Sequence, residues 1–467
     1  MRQASNQGFV LAPRPARAGG WTQPTPPFVL PAYSVLSTPA GVSPGPYFWL
    51  LPKNGQLFAQ KNRVLRSCDS TRAKPSPLSE RKTVARDICQ SLSSFLVMDV
   101  LERADALERT GKRVIHLEIG QPDFETPACV NEAAAKAIRD KKTAYTHSMG
   151  IWPLREAIAD YYAREYGVTV DPARVAVTNG TSPAMMLTFA VLCQNGDEVL
   201  MADPAYACYE NFVSFAGGVT TRIPAAEEHG FQLDPDIVAA SVGPRTRALL
   251  INSPSNPAGT VISRNDMERL AAAAPMLVSD EIYHGLIYEG EAVSALEVAD
   301  NAFVLDGFSK RYAMTGWRMG WMVVPQEFVP TIQVLQQNFF ISPNSISQWA
   351  GLAALNCAGD DVKRMAAEYN RRRLVLIEGL RSLGFGVRSH PVGAFYVLAD
   401  ARHLTMPGKQ HDSLALAFDI LEKAQVGVAP GIDFGSRAEG YLRFSYANSV
   451  ENIQEAMERL KKYLNTL

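Results

Sequence analysis

The chain has 467 residues, of which 47% are hydrophobic and 20% are charged, and its formal net charge is −1. This length exceeds what one ordinary hydrophobic core organises, so two or more domains are expected. The near-neutral charge provides no overall field to attract nucleic acid or an anionic membrane. No apolar run is long enough to span a bilayer.

Residues 1–78 differ in composition from the rest of the chain. They are rich in Pro, Gly, Ser and Gln, and they contain no Asp or Glu before Asp69. Such a segment lacks the periodic apolar pattern that a core requires, which favours disorder. An acidic-poor leader that carries arginines is also typical of an organellar transit peptide, and a misassigned start is a third interpretation. We therefore expect a disordered or leader segment, and a cytoplasmic protein or, if the leader is a transit peptide, an organellar one.

The cysteines are scattered along the chain and form no CxxC pair and no His/Cys cluster at metal-ligand spacing. This pattern is typical of a reducing compartment with free, mostly structural thiols. No metal site is expected. The six cysteines are Cys68, Cys89, Cys129, Cys193, Cys208 and Cys357.

A periodic pattern begins at about Leu78. Apolar residues from Phe95 to Leu107 mark one face of a helix that ends near Gly111, so residues 79–111 are predicted to be an N-terminal helix contributing to the small domain. Short apolar runs then alternate with helical stretches. The predicted strands are Arg174–Thr178, Glu198–Ala202, Ala248–Asn252, Met276–Asp280, Ala302–Leu305 and Met319–Val324.

These runs are continuous and rich in β-branched residues, which favours a buried, mostly parallel sheet. The predicted fold is therefore α/β, with a large domain at residues 112–326 whose sheet is covered by helices on both faces. A smaller α+β domain is expected at residues 327–467. Its predicted elements are helices Asn344–Cys357 and Asp361–Leu383, strands Ala394–Leu398 and Tyr441–Tyr446, and a last helix from Val450.

Polar motifs follow several of the predicted strands, where ligands bind in open α/β sheets. Gly180, Thr181 and Ser182 follow the first strand and open a helix near Pro183, which suits a phosphate. The same residues are also ordinary turn and capping residues. Tyr206, after the next strand, could stack on a flat ring or be a half-buried loop tyrosine.

Two further motifs carry an amide and a carboxylate. Asn256 lies in a loop fixed by two prolines and a glycine, and it could donate to a phenolic oxygen or satisfy its own turn. Asp280 ends a buried strand, three residues before Tyr283. It could pair with a protonated ring nitrogen or cap a helix.

Three cationic residues complete the candidate set. Lys310 ends an apolar strand, where lysine is uncommon unless paired or covalently occupied, and its amine can form a Schiff base. Arg318 offers a planar group suited to a phosphate. Arg443 lies mid-strand among Leu and aromatic residues, so it needs a bidentate partner such as a substrate carboxylate or a structural salt bridge.

Taken in order, these residues resemble the fold-type I pyridoxal-phosphate aminotransferases of class I/II, which are aspartate aminotransferase-like. The similarity covers about Leu78 to Leu467. The motifs that carry it are SPSNPAGT, SDEIY, GFSKRYAMTGWRMGW and LRFSYA. The resemblance implies an enzyme, a transaminase, with pyridoxal 5'-phosphate as its cofactor, and a homodimer with shared active sites.

The resemblance also implies residue roles. Lys310 would hold the cofactor and move the α-proton, with Asp280 on the pyridinium nitrogen and Tyr206 stacked on the ring. The implied cofactor-binding residues are Lys310, Asn256, Asp280, Tyr283, Tyr206, Gly180, Thr181, Ser182, Ser309, Arg318 and, from the neighbouring subunit, Tyr145. The implied substrate-binding residues are Gly120, Asn256 and Arg443.

One position departs from the family pattern. Many members carry a phosphate-binding Ser three residues before the lysine, whereas this chain has Gly307.

The hypothesis that the resemblance implies is a ping-pong transfer of an amino group between an L-amino acid and a 2-oxo acid, plausibly 2-oxoglutarate. The alternatives are a β-eliminating lyase on the same fold and a non-catalytic regulator. The preferred side chain stays open, because His147, Met149 and Trp152 near the expected mouth could equally be packing residues.

Overall fold

The computed structural model describes residues 92–404 and 411–467, which belong to the unit Lys82–Leu467. The predictions for residues 1–78, Cys68 and Cys89 lie outside the described residues. The strands are β1 (Ile115–His116), β2 (Val175–Thr178), β3 (Glu198–Asp203), β4 (Val219–Pro224), β5 (Thr246–Asn252), β6 (Leu277–Asp280), β7 (Ala302–Gly307), β8 (Gly320–Val323), β9 (Tyr396–Asp400), β10 (Val426–Gly427), β11 (Ala429–Pro430) and β12 (Tyr441–Ser445).

The helices alternate with these strands in the first half of the described chain and lengthen in the second half. They are α1 (Leu96–Glu108), α2 (Ala128–Arg139), α3 (Trp152–Tyr166), α4 (Thr181–Leu192), α5 (Tyr209–Phe215), α6 (Pro235–Ser241), α7 (Arg264–Ala273), α8 (Val329–Phe339), α9 (Ser345–Cys357), α10 (Gly359–Ser382), α11 (Ser413–Ala424) and α12 (Val450–Leu464).

A seven-stranded sheet in the order β2-β8-β7-β6-β5-β3-β4 organises the larger part of this unit. Its strands pair in parallel, except that β8 runs antiparallel to both of its neighbours. This confirms the predicted mostly parallel sheet. The sequence signal was strong because strands buried on both faces read as continuous apolar runs.

Helices cover both faces of this sheet. Along β5, Leu249 and Ile251 pack into one hydrophobic cluster, whereas Ala248 and Leu250 pack into another. Since successive side chains of a strand point to opposite faces, each face has its own core. The first cluster includes residues of α3 and α9, and the second includes residues of α4 and α8.

Strand β4 was not predicted. It forms the edge of the sheet and pairs only with β3 within the described residues. Its side chains are mostly half-buried or exposed, and only Ile223 is buried. An edge strand therefore lacks the continuous apolar run by which the central strands were recognised.

Helix α4 begins two residues before the predicted start, with Pro183 in its first turn, where proline is tolerated.

A second, three-stranded antiparallel sheet has the order β11-β12-β9, and β1 pairs in parallel with β10. Helices α10 and α12 pack against each other, and α1 packs on α11 and β11. The predicted helices and strands of this part are present, whereas β1, β10, β11 and α11 were not predicted. The domain boundaries at 79–111, 112–326 and 327–467 stay a prediction.

The expectation that the cysteines are free thiols is wrong for two of them. Cys129 of α2 and Cys357 of α9 form a disulfide, with their Cα atoms 6.6 Å apart. They are 228 residues apart in sequence, and the packing of α2 against α9 brings them together. Cys193 and Cys208 are free, as expected. None of the helices in the described ranges is both long and apolar enough to cross a membrane.

Candidate active site

A cavity of about 320 Å³ lies where β5, β6 and β7 end side by side. Parallel strands present their carboxyl ends at the same edge, so residues that follow each strand converge there. The predicted residues that line this cavity are Gly120, Thr181, Ser182, Tyr206, Asn256, Asp280, Tyr283, Ser309, Lys310, Arg318 and Arg443.

Lys310 follows β7 by three residues and its amine faces the cavity. Nζ donates a hydrogen bond to the Gly120 carbonyl at 2.6 Å. Burial, together with the cations Arg443 and Arg318, lowers the pKa of Lys310 to about 8, although Asp280 opposes the change. A lowered pKa makes the neutral, nucleophilic amine accessible near physiological pH.

Asp280, at the end of β6, is buried and accepts two hydrogen bonds. The Tyr209 hydroxyl donates to Oδ2 at 2.7 Å, and the Ile282 N–H donates to Oδ1 at 3.2 Å. Burial raises the pKa of Asp280 to about 6, and these two donors and Lys310 limit the rise. A protonated ring nitrogen in the cavity would favour the ionised carboxylate. Sequence reasoning missed Tyr209, whose only signal was its position three residues after Tyr206.

Asn256 and Tyr283 bring polar groups toward the same space. The Asn256 backbone N–H donates to Asn252 Oδ1 at 2.8 Å, which holds the loop against β5. Its own Oδ1 accepts from Arg443 Nη1 at 2.9 Å, so Nδ2 is the group it can present to a ligand. The hydroxyls of Tyr283 and Tyr396 lie 2.8 Å apart and share a hydrogen bond. Burial raises the pKa of Tyr283, which keeps its hydroxyl a neutral donor.

Tyr206 forms an aromatic wall of the cavity. Its ring meets Phe95 edge-on, with centroids 5.8 Å apart, and meets Tyr209 edge-on at 5.2 Å. These two contacts hold the ring while leaving it part of the cavity lining. A flat ring could stack there.

The N-terminus of α4 and the Arg318 guanidinium meet at one end of the cavity. Gly180 has a φ of 96°, and a Cβ at this position would lie 2.7 Å from Arg318 Nη2. Glycine therefore permits the guanidinium to approach the free N–H groups and hydroxyls of Thr181 and Ser182. These groups together form an anion cradle.

Gly307 lies opposite Gly320 in the β7–β8 pair. A Cβ on Gly307 would lie 3.1 Å from both the Gly320 Cα and the Met319 carbonyl oxygen. A serine side chain there would be crowded by the close packing of β7 against β8, which explains the glycine at this position. Ser309 lines the cavity nearby and is buried.

Arg443 is 2% exposed, yet its hydrogen-bond partners are uncharged. Besides Asn256, it donates to the Glu118 carbonyl and stacks on the Tyr396 and Phe434 rings at 4.3 and 4.8 Å. Its Nε has no hydrogen-bond partner within the described part of the chain. A buried guanidinium in this state favours an anionic ligand.

Sequence reasoning also missed Tyr396, whose position explains why residue 120 is a glycine. A Cβ on Gly120 would lie 1.9 Å from the Tyr396 hydroxyl oxygen. Only glycine allows the chain to pass this closely and to present its carbonyl to Lys310. Since β9 and Gly120 are remote in sequence, no local pattern predicted the contact.

The remaining candidates lie outside this cavity. Tyr145 is 80% exposed, and its proposed contact with a neighbouring subunit stays a prediction. Met149 is buried in the core, and Trp152 is half exposed and stacks under the Arg155 guanidinium. His147 accepts from the Met149 N–H at 3.1 Å. Met149 therefore has a packing role, whereas the roles of His147 and Trp152 stay open.

The cavity fits a pyridine ring that carries a phosphate and an aldehyde. The anion cradle suits the phosphate, Asp280 suits a ring N–H⁺, Tyr206 suits the ring face, and the Lys310 amine suits the aldehyde. Arg443, which lines the cavity and makes its hydrogen bonds to uncharged groups, then remains for the carboxylate of a second molecule. The donor set therefore fits a cofactor and a substrate together.

Comparison with known proteins gives a consistent result. The family described as aminotransferase class I and II matches residues 112–460. A (5-formylfuran-3-yl)methyl phosphate transaminase of Methanocaldococcus jannaschii is 40% identical, over 80% of this chain and 98% of that protein. A valine–pyruvate aminotransferase of Mycobacterium tuberculosis is 38% identical, over 79% and 96%. The structure of Thermus thermophilus aspartate aminotransferase with maleate has a TM-score of 0.77 and 38% identity, covering 81% and 99%.

Proposed function

The chain belongs to the class I and II aminotransferases, and from this premise we propose that it moves an amino group from an L-amino acid to a 2-oxo acid in two half-reactions. We propose 2-oxoglutarate as one acceptor. The protein is a pyridoxal-phosphate-dependent transaminase. The names of the three compared proteins differ in substrate, so family membership leaves the donor open.

Pyridoxal phosphate, when bound, supplies an electron sink that weakens the bond between Cα and hydrogen. We propose that Lys310 binds its aldehyde and, once released by substrate, carries the proton away from Cα. The observation that supports this proposal is an amine with a pKa of about 8 in the same cavity as Asp280 and Arg443. A base whose pKa lies near the working pH is effective in both directions of proton transfer.

The other residues have binding roles in this proposal. Asp280 holds the proton on the ring nitrogen, and Tyr206 stacks on the ring. Asn256 and Tyr283 donate to the ring hydroxyl oxygen. Gly180, Thr181, Ser182, Ser309 and Arg318 surround the phosphate. Arg443, with Asn256 and the backbone at Gly120, binds the substrate α-carboxylate.

Homodimers are typical of this family. Tyr145 is exposed and outside its own cavity. We propose that it reaches the phosphate of the partner's active site. The β-eliminating lyase finds no support in the compared proteins, because all three are named as aminotransferases.

The test uses the full chain loaded with cofactor, and Lys310→Ala. After borohydride reduction and peptide mass analysis, the cofactor mass should be found on the Lys310 peptide of the wild type alone. Amino transfer to 2-oxoglutarate should fall by roughly 10³-fold or more in the variant, because both covalent binding and proton transfer are lost.

Lys423→Ala is the matched control, because Lys423 is exposed and is not among the residues that line this cavity. It should keep the wild-type rate and labelling. Turnover by Lys310→Ala at the wild-type rate, or label on another lysine, would refute the proposal.

A further inference from the structure

The residue that follows Lys310 is a largely buried cation that the proposed mechanism does not use. Arg311 is not among the residues that line the cavity, and 14% of its side chain is exposed. Its Nη1 donates to the Tyr161 hydroxyl at 2.9 Å, and its guanidinium lies over the rings of Tyr161 and Tyr312 at 5.0 and 5.6 Å. Its Nη2 lies 3.6 Å from Glu165 Oε2. These contacts hold the guanidinium in one position outside the cavity.

Gly285 provides the space for the stem of Arg311. It has a φ of 87°, and a Cβ at this position would lie 2.7 Å from Arg311 Cδ and 2.8 Å from Nε. Both the backbone conformation and the close approach of the arginine therefore require glycine. Gly285 belongs to the segment that follows β6, whereas Arg311 belongs to the segment that follows β7. The two segments fit each other at this point.

A chain of hydrogen bonds continues from Arg311 into the core. A guanidinium only donates, so the Tyr161 oxygen accepts and the Tyr161 hydrogen is free for the Tyr166 hydroxyl, 3.1 Å away. The Tyr166 hydroxyl lies 2.8 Å from His284 Nδ1. Burial, together with the charge of Arg311, lowers the pKa of His284 to about 3, although a hydrogen bond with the Ser253 backbone opposes the change. His284 is therefore neutral at neutral pH, and its Nδ1 can accept the Tyr166 hydrogen.

This chain joins three parts of the molecule. Arg311 follows β7, His284 follows β6, and the two tyrosines belong to α3. A satisfied hydrogen-bond network inside a protein rigidifies the segments that it joins. The turn that carries Lys310 is therefore fixed to the neighbouring strand end and to the helix that packs on the sheet.

Lys310 depends on such support because it lies in a turn, outside the helices and strands. A hydrogen bond from the Tyr312 N–H to the Phe308 carbonyl, 3.2 Å long, stabilises the turn from within. Lys310 faces the cavity, whereas Arg311 faces α3. A rotation of the turn that withdrew the Lys310 amine from the cavity would also pull the guanidinium away from its partners.

Resting on the proposed function, we infer that Arg311 is a positioning residue for Lys310, because its contacts with Tyr161 and the space at Gly285 fix the turn that carries the amine. The chain through Tyr166 to His284 supports the same contact from the core. Arg311 acts through the position of the turn and not through its charge.

Two variants of Arg311 separate position from charge. Burial is the largest cause of the lowered pKa of Lys310, and the charges that contribute are those of Arg443, Arg318 and Asp280. Arg311→Gln removes the anchor and the charge, whereas Arg311→Lys keeps the charge without the planar donor group. Both variants should raise the pKa of Lys310 by roughly half a unit to one unit, because an amine that leaves its buried position is better solvated.

The pKa of the Lys310 amine is measured in the full chain freed of cofactor, from the pH dependence of its acylation by acetic anhydride, with the labelled peptide quantified by mass analysis. This readout needs no turnover. In the holoenzyme, kcat should fall by roughly tenfold while the donor KM changes little, because a misplaced base impairs proton transfer more than substrate binding. Tyr166→Phe interrupts the chain beyond Tyr161 and should lower kcat by roughly two- to threefold.

Arg155→Gln is the matched control. Arg155 is buried, lies on α3 and donates to the Pro172 and Ala173 carbonyls at 2.9 Å each, outside the cavity lining. Its loss should lower the free energy of unfolding, as Arg311→Gln does, but leave the pKa of Lys310 and kcat at their wild-type values. The comparison distinguishes a positioning residue from one that only stabilises the fold.

Wild-type values of both quantities in Arg311→Gln would overturn the inference. So would an Arg311→Lys protein that behaves as the wild type, since charge alone would then suffice, or an Arg155→Gln protein with the same changes. If Arg311→Gln does not fold, Arg311→Lys and Tyr166→Phe decide by the same criteria. A wild type whose Lys310 takes no label on borohydride reduction would instead refute the proposed function, and the pKa comparison in the cofactor-free chain would still be readable.

Discussion

The two sides of the cavity are built differently. On the side that we propose binds the cofactor, here called the cofactor side, three neighbouring strands end at Asn252, Asp280 and Gly307, and short segments after the strands carry Asn256 and Lys310. On the side that we propose binds the substrate, here called the substrate side, chain segments that are remote in sequence meet. Arg443 bonds the Glu118 carbonyl, 325 residues away, and the Gly120 carbonyl accepts from Lys310, 190 residues away.

The charges on the two sides differ as well. On the cofactor side, Asp280 already accepts hydrogen bonds from Tyr209 and Ile282. On the substrate side, Arg443 is buried among neutral partners. Changes on the first side should therefore lower kcat, whereas changes on the second should mainly raise KM. Four predictions test this contrast, in order of decreasing effect.

Asp280→Asn should lower kcat by about 10²–10³-fold with little change in donor KM, because a neutral amide cannot hold the ring nitrogen protonated. Steady-state kinetics and cofactor content are measured together. Normalising the rate to bound cofactor separates chemistry from cofactor loss. An unchanged kcat per bound cofactor would remove Asp280 from the mechanism.

Arg443→Gln should raise the donor KM by about 10- to 100-fold with a smaller change in kcat, because a charge-assisted bond to the α-carboxylate is lost. Arg373→Gln is the matched control. Arg373 is equally buried but pairs with Glu289, outside the cavity lining. It should lower the free energy of unfolding and leave the donor KM unchanged. Equal KM values for the two variants would contradict the assignment.

Tyr209→Phe should lower kcat by about three- to tenfold, the value of one hydrogen bond. The pKa of Asp280 should rise further, because Tyr209 lowers it in the wild type. The ionised form of Asp280 is lost as pH falls, so the acid limb of the kcat profile should move to higher pH. Tyr463→Phe removes a matching 2.7 Å bond to Asp419, a residue of α11, and should leave the profile unchanged.

His116→Gln tests the contact between His116 and Glu118, whose backbone carbonyl accepts a hydrogen bond from Arg443. A hydrogen bond to buried Glu118 Oε1, 2.6 Å long, raises the pKa of His116 to about 9. A raised pKa contributes stability that is complete below the unfolded value of about 6.5 and is lost as pH rises through about 9.

The free energy of unfolding of the wild type should therefore fall by roughly 1 kcal/mol more than that of His116→Gln between about pH 7 and about pH 10. Denaturant titrations at several pH values measure it. Glu118→Gln should remove most of the same pH dependence, and the remainder comes from Glu108, whose Oε1 lies 3.4 Å from His116 Nε2. Parallel curves for wild type and His116→Gln would show that the pair contributes nothing to stability.

Much of the cofactor side was predictable because its evidence is local. Asp280 and Lys310 follow apolar runs that read as buried strands, and parallel strands bring such residues to one edge. Edge strand β4 was missed, because a half-exposed strand has no continuous apolar run.

The amino-acid sequence by itself determined the α/β class, the strands that end at the cavity and the residues that follow them, since apolar periodicity and turn residues act over a few positions. Only the tertiary structure decided that Tyr209 bonds Asp280, that Tyr396 passes over Gly120, that Cys129 meets Cys357 and that Asp433 caps α1. Each of these contacts joins segments remote in sequence, and their meeting depends on how whole helices and sheets pack. A local pattern contains no information about that packing.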